Sequence, residues 1–222
     1  MRKIINSILV FITIFMFNSC AGLITLKTPK ITGGKIETEK KYIPKKPPVL
    51  FEDFEAGTVI GAYSYANTAG GASAKYVISE PGKDEPHSGK YCAKAIYDSG
   101  TNSDWGCGFG AQSAYGGGFI DAKDREYISL WIKAKPGLNF YVFCNEASAN
   151  GADGEYWNSP NLLGTGKWEL YEIPMEQFYK NVYSGNQQGN NVIDMTGIGT
   201  VGAQIGGAQG AGELFVDDIY FK

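Results

Sequence analysis

Across residues 49–222 the chain carries no sustained apolar stripe at the 3.6-residue helical period, apart from one turn's length at Met175-Glu176-Gln177-Phe178-Tyr179. Strand-like runs recur instead at 50–55, 75–79, 91–97, 107–111, 127–134, 139–145, 168–173, 198–205 and 213–221, separated by clusters of Gly, Pro, Asn and Asp. Parallel strands need crossover connections, usually helical, so these runs predict an all-β fold, an antiparallel β-sandwich or jelly roll. The 30 Gly residues suit the turns and strand bends of such a fold. With 12 Phe, 4 Trp, 14 Tyr and 43% hydrophobic residues, the composition excludes a disordered chain.

The sequence divides into three parts. Arg2 and Lys3 precede an apolar stretch, residues 4–17, that is short for a membrane span and reads as a signal segment. It ends in Phe17-Asn18-Ser19-Cys20-Ala21, which resembles a bacterial lipoprotein signal, with Phe17 where the usual pattern has Leu. The resemblance implies that residues 1–20 are a signal peptide, that Cys20 is lipidated, and that the remainder lies in the cell envelope outside the cytoplasm. Ala21 after the cysteine, rather than Asp, points by the same analogy to the outer membrane or cell surface. Residues 21–48 are rich in Lys, Thr and Pro and end in Ile43-Pro44-Lys45-Lys46-Pro47-Pro48, the composition of an extended linker. Residues 49–222 form the domain.

Charge separates the last two parts. Residues 23–48 hold seven Lys against two Glu, whereas 49–222 hold eleven basic residues against twenty-one acidic ones. The basic segment reads first as a solvated spacer, with contact to anionic lipid headgroups as the alternative, and the acidic domain argues against nucleic acid as a partner. Cys92, Cys107 and Cys144 remain in the domain, an odd number without C-x-x-C or metal-ligand spacing, so no disulfide pairing is assigned.

Four segments carry a family resemblance: Glu52-Asp53-Phe54-Glu55; Tyr127-Ile128-Ser129-Leu130-Trp131-Ile132-Lys133-Ala134; Gly166-Lys167-Trp168-Glu169-Leu170-Tyr171-Glu172-Ile173-Pro174; and Leu214-Phe215-Val216-Asp217-Asp218-Ile219-Tyr220-Phe221. In order and spacing they resemble the β-sandwich carbohydrate-binding modules of the galactose-binding-like class, notably family 11. The resemblance implies non-catalytic binding of a polysaccharide or oligosaccharide. It also implies a structural Ca²⁺ near the first and last strands, for which Asp53, Glu55 and Asp218 are the candidate oxygen ligands.

Aromatic residues in polar, loop-like surroundings are the candidates for contact with such a ligand: Trp105, Tyr115, Tyr156, Trp157 and Tyr183. A π-face stacks on the C–H face of a sugar ring while neighbouring amides and carboxylates bond its hydroxyls, and Asn145, Glu146, Asn158 and Gln204 are placed for that role. Trp131 and Trp168 lie within strand-like runs and read as structural. Gly197, Gly199 and Gly202 satisfy G-x-G-x-x-G, but no helix follows, so they read as a flat strand on which something bulky packs.

Two other functions compete with sugar binding. A surface adhesin would use the same sandwich for protein contacts. A small polysaccharide-cleaving enzyme would need two facing carboxylates, for which Glu146, Glu155, Glu169 and Glu172 are available. His87, the one histidine, stands in a turn, Asp84-Glu85-Pro86-His87-Ser88-Gly89, a poor place for a catalytic triad.

Overall fold

The computed structural model describes residues 31–32, 35–36, 46–115, 118–148 and 152–222. Cys20 and the proposed signal segment lie outside them. A short antiparallel hairpin, β1 (Ile31–Thr32) and β2 (Lys35–Ile36), falls within the stretch read as linker.

The domain is a sandwich of two antiparallel sheets. The six-stranded sheet runs in the order β12 (Trp168–Pro174), β8 (Tyr127–Ala134), β15 (Ala211–Phe221), β6 (Ala93–Asp98), β5 (Ser73–Ile78), and β3 (Val49–Glu52) also pairs with β15. The seven-stranded sheet runs β13 (Tyr179–Gly185), β10 (Glu155–Asn158), β9 (Asn139–Glu146), β14 (Ile198–Ile205), β7 (Cys107–Gln112), β4 (Tyr63–Ala66), and the short β11 (Leu162–Leu163) adds to β9. The pairing of β3 with β15 joins the start of the domain to its end.

Alternation along each strand builds the core. In β8, Ile128, Leu130, Ile132 and Ala134 point inward, and in β7 Cys107, Phe109 and Ala111 do so. Phe51, Phe54, Phe140 and Phe221 are completely or almost completely enclosed, each contributing roughly 1.5–3 kcal/mol by leaving water. Cys92, Cys107 and Cys144 are buried and unpaired. Burial pushes the Cys92 and Cys107 thiols up to about 11, so they act as small hydrophobes.

The expected runs at 127–134 and 198–205 match β8 and β14, and the others fall within a few residues of a strand. The helical turn expected near Met175 is a 3-10 turn, Met175–Gln177. Within the domain, four strands were not anticipated: β4, β10, β11 and β13. β11 is only two residues long, and the Ser, Gly and Asn content of the other three, which build the site described next, resembles loop sequence.

Candidate binding cleft

The outer face of the seven-stranded sheet holds an open cleft of about 1060 Å³. Its floor follows from the period of two. Gly108 and Gly110 of β7 and Gly202 of β14 face outward between buried neighbours, leaving bare backbone at these three positions in the middle of the sheet. Aromatic rings from the flanking strands lie over this bare backbone. A Cβ at Gly108 would run into the Tyr65 ring, one at Gly110 would lie 2.9 Å from Tyr63 Oη, and one at Gly202 would run into Phe143. The expectation of a flat strand beneath something bulky is met at Gly202.

Tyr63, Tyr65 and Trp105 form a row. Tyr63 and Tyr65 have ring centroids 6.3 Å apart at 17°, and Tyr65 and Trp105 are 6.2 Å apart at 28°. Hydrogen bonds hold the row: Tyr65 Oη donates to Gln204 Oε1 (2.9 Å), and Gln204 Nε2 donates to the Trp105 carbonyl (2.9 Å). Burial pushes the Tyr63 phenol up to about 12 and that of Tyr65 higher still, so both remain donors at neutral pH. The loop bearing Trp105 is seated by Gly207, where a Cβ would collide with the Ser103 carbonyl, and by Gly106 N–H donating to Ser103 Oγ (2.7 Å).

The opposite wall comes from β9, β10 and β13. Tyr141, Asn145, Tyr156 and Asn158 face the cleft, and residues 179–184 form its rim. Lys180 and Gly185 are paired with Trp157 and Glu155, so three more residues of β13 than of β10 lie between the two pairings and bulge outward. The Gln187 side-chain amide donates to the carbonyls of Asn181, Ser184 and Gly185 and ties the bulge together. Tyr183 at its crest is 94% exposed.

The five candidate aromatics therefore separate. Trp105, Tyr156 and Tyr183 line one cleft. Tyr115 is elsewhere: it stands beside the first strand, its hydroxyl donating to Asp53 Oδ1 (2.6 Å). Trp157 corrects the expectation of an exposed platform. It belongs to β10, alternates inward between Tyr156 and Asn158, is 6% exposed, and donates Nε1–H to Glu146 Oε1 (3.0 Å). Tyr63, Tyr65, Tyr141, Phe143 and Tyr179 were missed. The signal for the first two was present, an alternating Tyr-Ser-Tyr opposite an alternating Gly-Phe-Gly.

The carboxylates weighed for catalysis are not in the cleft. Glu146 is buried and accepts from Trp157 Nε1, Asp194 N–H (2.8 Å) and Glu155 N–H (3.1 Å). Glu155, fully buried, accepts from Lys180 Nζ and from Asn191 N–H. These bonds occupy both groups in holding the 186–194 loop against β10. Asp104 is the one carboxylate among the described lining residues, and it accepts from Asn67 Nδ2 and Trp105 N–H.

The expected calcium ligands also separate. Glu55 accepts from the N–H groups of Lys90 and Tyr91, Asp53 accepts from Tyr115 and from Glu55 N–H, and Asp218 faces His87 Nδ1 at 3.1 Å. Among the described residues, the acids and histidine that come within 4.8 Å of one another as a group of three are His87, Asp217 and Asp218. Asp53, Glu55 and Asp218 do not gather as one group: Asp53 Oδ1 and both Glu55 oxygens accept hydrogen bonds, and Asp218 lies with His87 and Asp217.

No protein-family model and no curated protein matches the chain. Its fold is similar to solved carbohydrate-binding modules. The family 11 module of the cellulosomal cellulase Lic26A-Cel5E of Clostridium thermocellum aligns with a TM-score of 0.57 at 20% identity, over 79% of this chain and 94% of that one. A Clostridium thermocellum family 11 module in complex with a β-1,3-1,4-mixed-linked tetrasaccharide aligns with a TM-score of 0.57 at 21% identity, over 78% and 94%. A family 30 module gives 0.50 at 13% identity, over 80% and 88%. At these identities the similarity establishes the β-sandwich fold.

Proposed function

We propose that this domain binds a carbohydrate chain without cleaving it. The observation that carries the reading is the row of Tyr63, Tyr65 and Trp105 laid along an open cleft whose opposite wall supplies amides and phenols. Such a row presents flat apolar area to sugar rings, and the wall groups exchange hydrogen bonds with hydroxyls. Support for binding rather than chemistry comes from the carboxylates: Glu146 and Glu155 are buried away from the cleft, and Asp104 faces no second carboxylate among the described lining residues. The fold similarity to a module solved in complex with a mixed-linked tetrasaccharide agrees with this reading. The signal-like segment ending at Cys20 adds a lipid anchor and a site of action in the bacterial cell envelope, most consistent with the outer membrane or cell surface.

A glycan-array screen of the detergent-solubilised chain, followed by calorimetry, tests the binding. The expected outcome is saturable binding that leaves the glycan intact. Failure to bind any glycan, or release of reducing ends on prolonged incubation, would overturn it. Mass spectrometry of the membrane fraction tests the anchor, which requires a lipid-modified Cys20 at the mature N-terminus.

A further inference from the structure

We infer that Gly108 and Gly110 of β7 are positioning residues for ligand binding, because they set the height and tilt of the aromatic floor; the inference rests on the carbohydrate-binding reading of the cleft. Both glycines have strand backbone within a regular ladder to β4 and β14, so neither is required for a left-handed turn. Their missing side chains matter for space. An added Cβ at Gly108 would run into Tyr65 Cζ and Oη and lie 2.8 Å from Cε1, and each of these three nearest atoms belongs to the same phenol. At Gly110 it would meet Tyr63 Oη at 2.9 Å and Cζ at 3.1 Å, with the Val201 carbonyl also at 3.1 Å. Other glycines of this sheet differ in kind: Gly202 abuts the Phe109 carbonyl and Gly110 Cα, so a side chain there would strain the sheet itself.

Gly108 is thus the position where one methyl group moves a ring and leaves the ladder in place. With glycine there, Tyr65 lies flat and its hydroxyl reaches Gln204 Oε1 at 2.9 Å. Lifting the ring breaks that bond, tilts the π-face out of line with Tyr63 and Trp105, and fills the space a sugar ring would occupy. A platform fixed before the ligand arrives has already lost its rotamer freedom, which lowers the cost of binding. The two glycines keep that platform in place without themselves touching the ligand.

A double-mutant cycle tests this, with the β-1,3-1,4-mixed-linked tetrasaccharide and an array of other glycans as probes. Gly108→Ala is expected to weaken binding about tenfold, which is about 1.4 kcal/mol. In a Tyr65→Ala background the same change is expected to have no further effect, since the ring it positions is gone. Gly206→Ala, where the nearest atom to a Cβ is Gln209 Nε2 at 3.6 Å, serves as a neutral control. Wild-type affinity in folded Gly108→Ala, or an equal loss in both backgrounds, would overturn the inference and leave the cleft reading standing. A wild type that binds no glycan would overturn both. Should Gly108→Ala fail to fold, NMR decides: the Gly108 Hα shifts must carry a ring-current displacement that Tyr65→Leu removes, and unchanged shifts would sink the proposal.

Discussion

The two outer faces of the sandwich carry similar aromatic rows and opposite fates. On the six-stranded sheet, Trp131, Trp168 and Phe215 point outward, much as Tyr63, Tyr65 and Trp105 do on the other. There the segment between β5 and β6 is laid across them. His87 stacks on Trp131 with centroids 3.7 Å apart at 14°, and Trp168 Nε1 donates to the Glu85 carbonyl (3.1 Å). Lys94, almost buried, pairs with Asp84 (3.0 Å) and Glu213 (2.8 Å). Asp217, fully buried, accepts from the N–H groups of His87 and Ser88, and Glu55 accepts from Lys90 and Tyr91. Lys94, Asp217 and Glu55 thus hold the segment down on one face, while the other face has bare glycine backbone and stays open. Exposed aromatics become a platform or a packing surface according to what the neighbouring loop does.

The largest expected effect is on the closed face. Asp217→Ala leaves the N–H groups of His87 and Ser88 without an acceptor beneath the segment, and should destabilise the domain by about 3 kcal/mol, at roughly 1–3 kcal/mol per stranded group. Denaturant titration would show it, with glycan affinity unchanged in the folded fraction. If stability holds, the carboxylate is not what closes this face.

The open face should respond the other way. Tyr65→Ala and Trp105→Ala should each weaken glycan binding by threefold to tenfold, from stacking worth about 0.5–1.5 kcal/mol each. Thermal melts should shift little for Trp105→Ala, because Trp105 is 41% exposed. A large loss of stability on removing Trp105 would mean that the two faces do the same job.

A pH series sharpens the contrast. Burial, and then the neighbouring Asp218 charge, hold the Asp217 carboxyl up to about 7, against the pull of its N–H donors. The folded state therefore binds this proton more tightly than the unfolded chain. The contribution is full below about pH 4, declines as pH rises toward 7, and is flat above. Asp217→Asn should flatten that part of the stability profile. The cleft phenols Tyr63 and Tyr65 stay protonated throughout, so their hydrogen bonds contribute no change in glycan affinity over the same range.

The smallest expected effect is that of calcium. With donors on both oxygens of Glu55, and Asp218 in a different cluster from Asp53, a chelator should leave the melting temperature unchanged. A rise on adding Ca²⁺ would show that the ion displaces those donors.

Sequence alone determined the fold class. Apolar alternation in β8, β12, β14 and β15 is enforced by two packed sheets, and a period of two survives in the sequence because each inward residue must leave water. Sequence also placed Trp105, Tyr156 and Tyr183 among the site candidates, since aromatics in polar surroundings stand out. It misplaced Trp157, because Gly154-Glu155-Tyr156-Trp157-Asn158 reads as a loop until β9 and β13 pair with it and turn the indole inward. It missed Tyr63 and Tyr65, whose short strand is one only because β7 lies beside it. The separation of Asp53, Glu55 and Asp218, the burial of Glu146 and Glu155, and the choice of which aromatic row stays uncovered were decided by contacts between residues far apart in the chain. Local pattern records which side chains seek burial, whereas the partner that covers each one is set by where distant strands and loops come to rest.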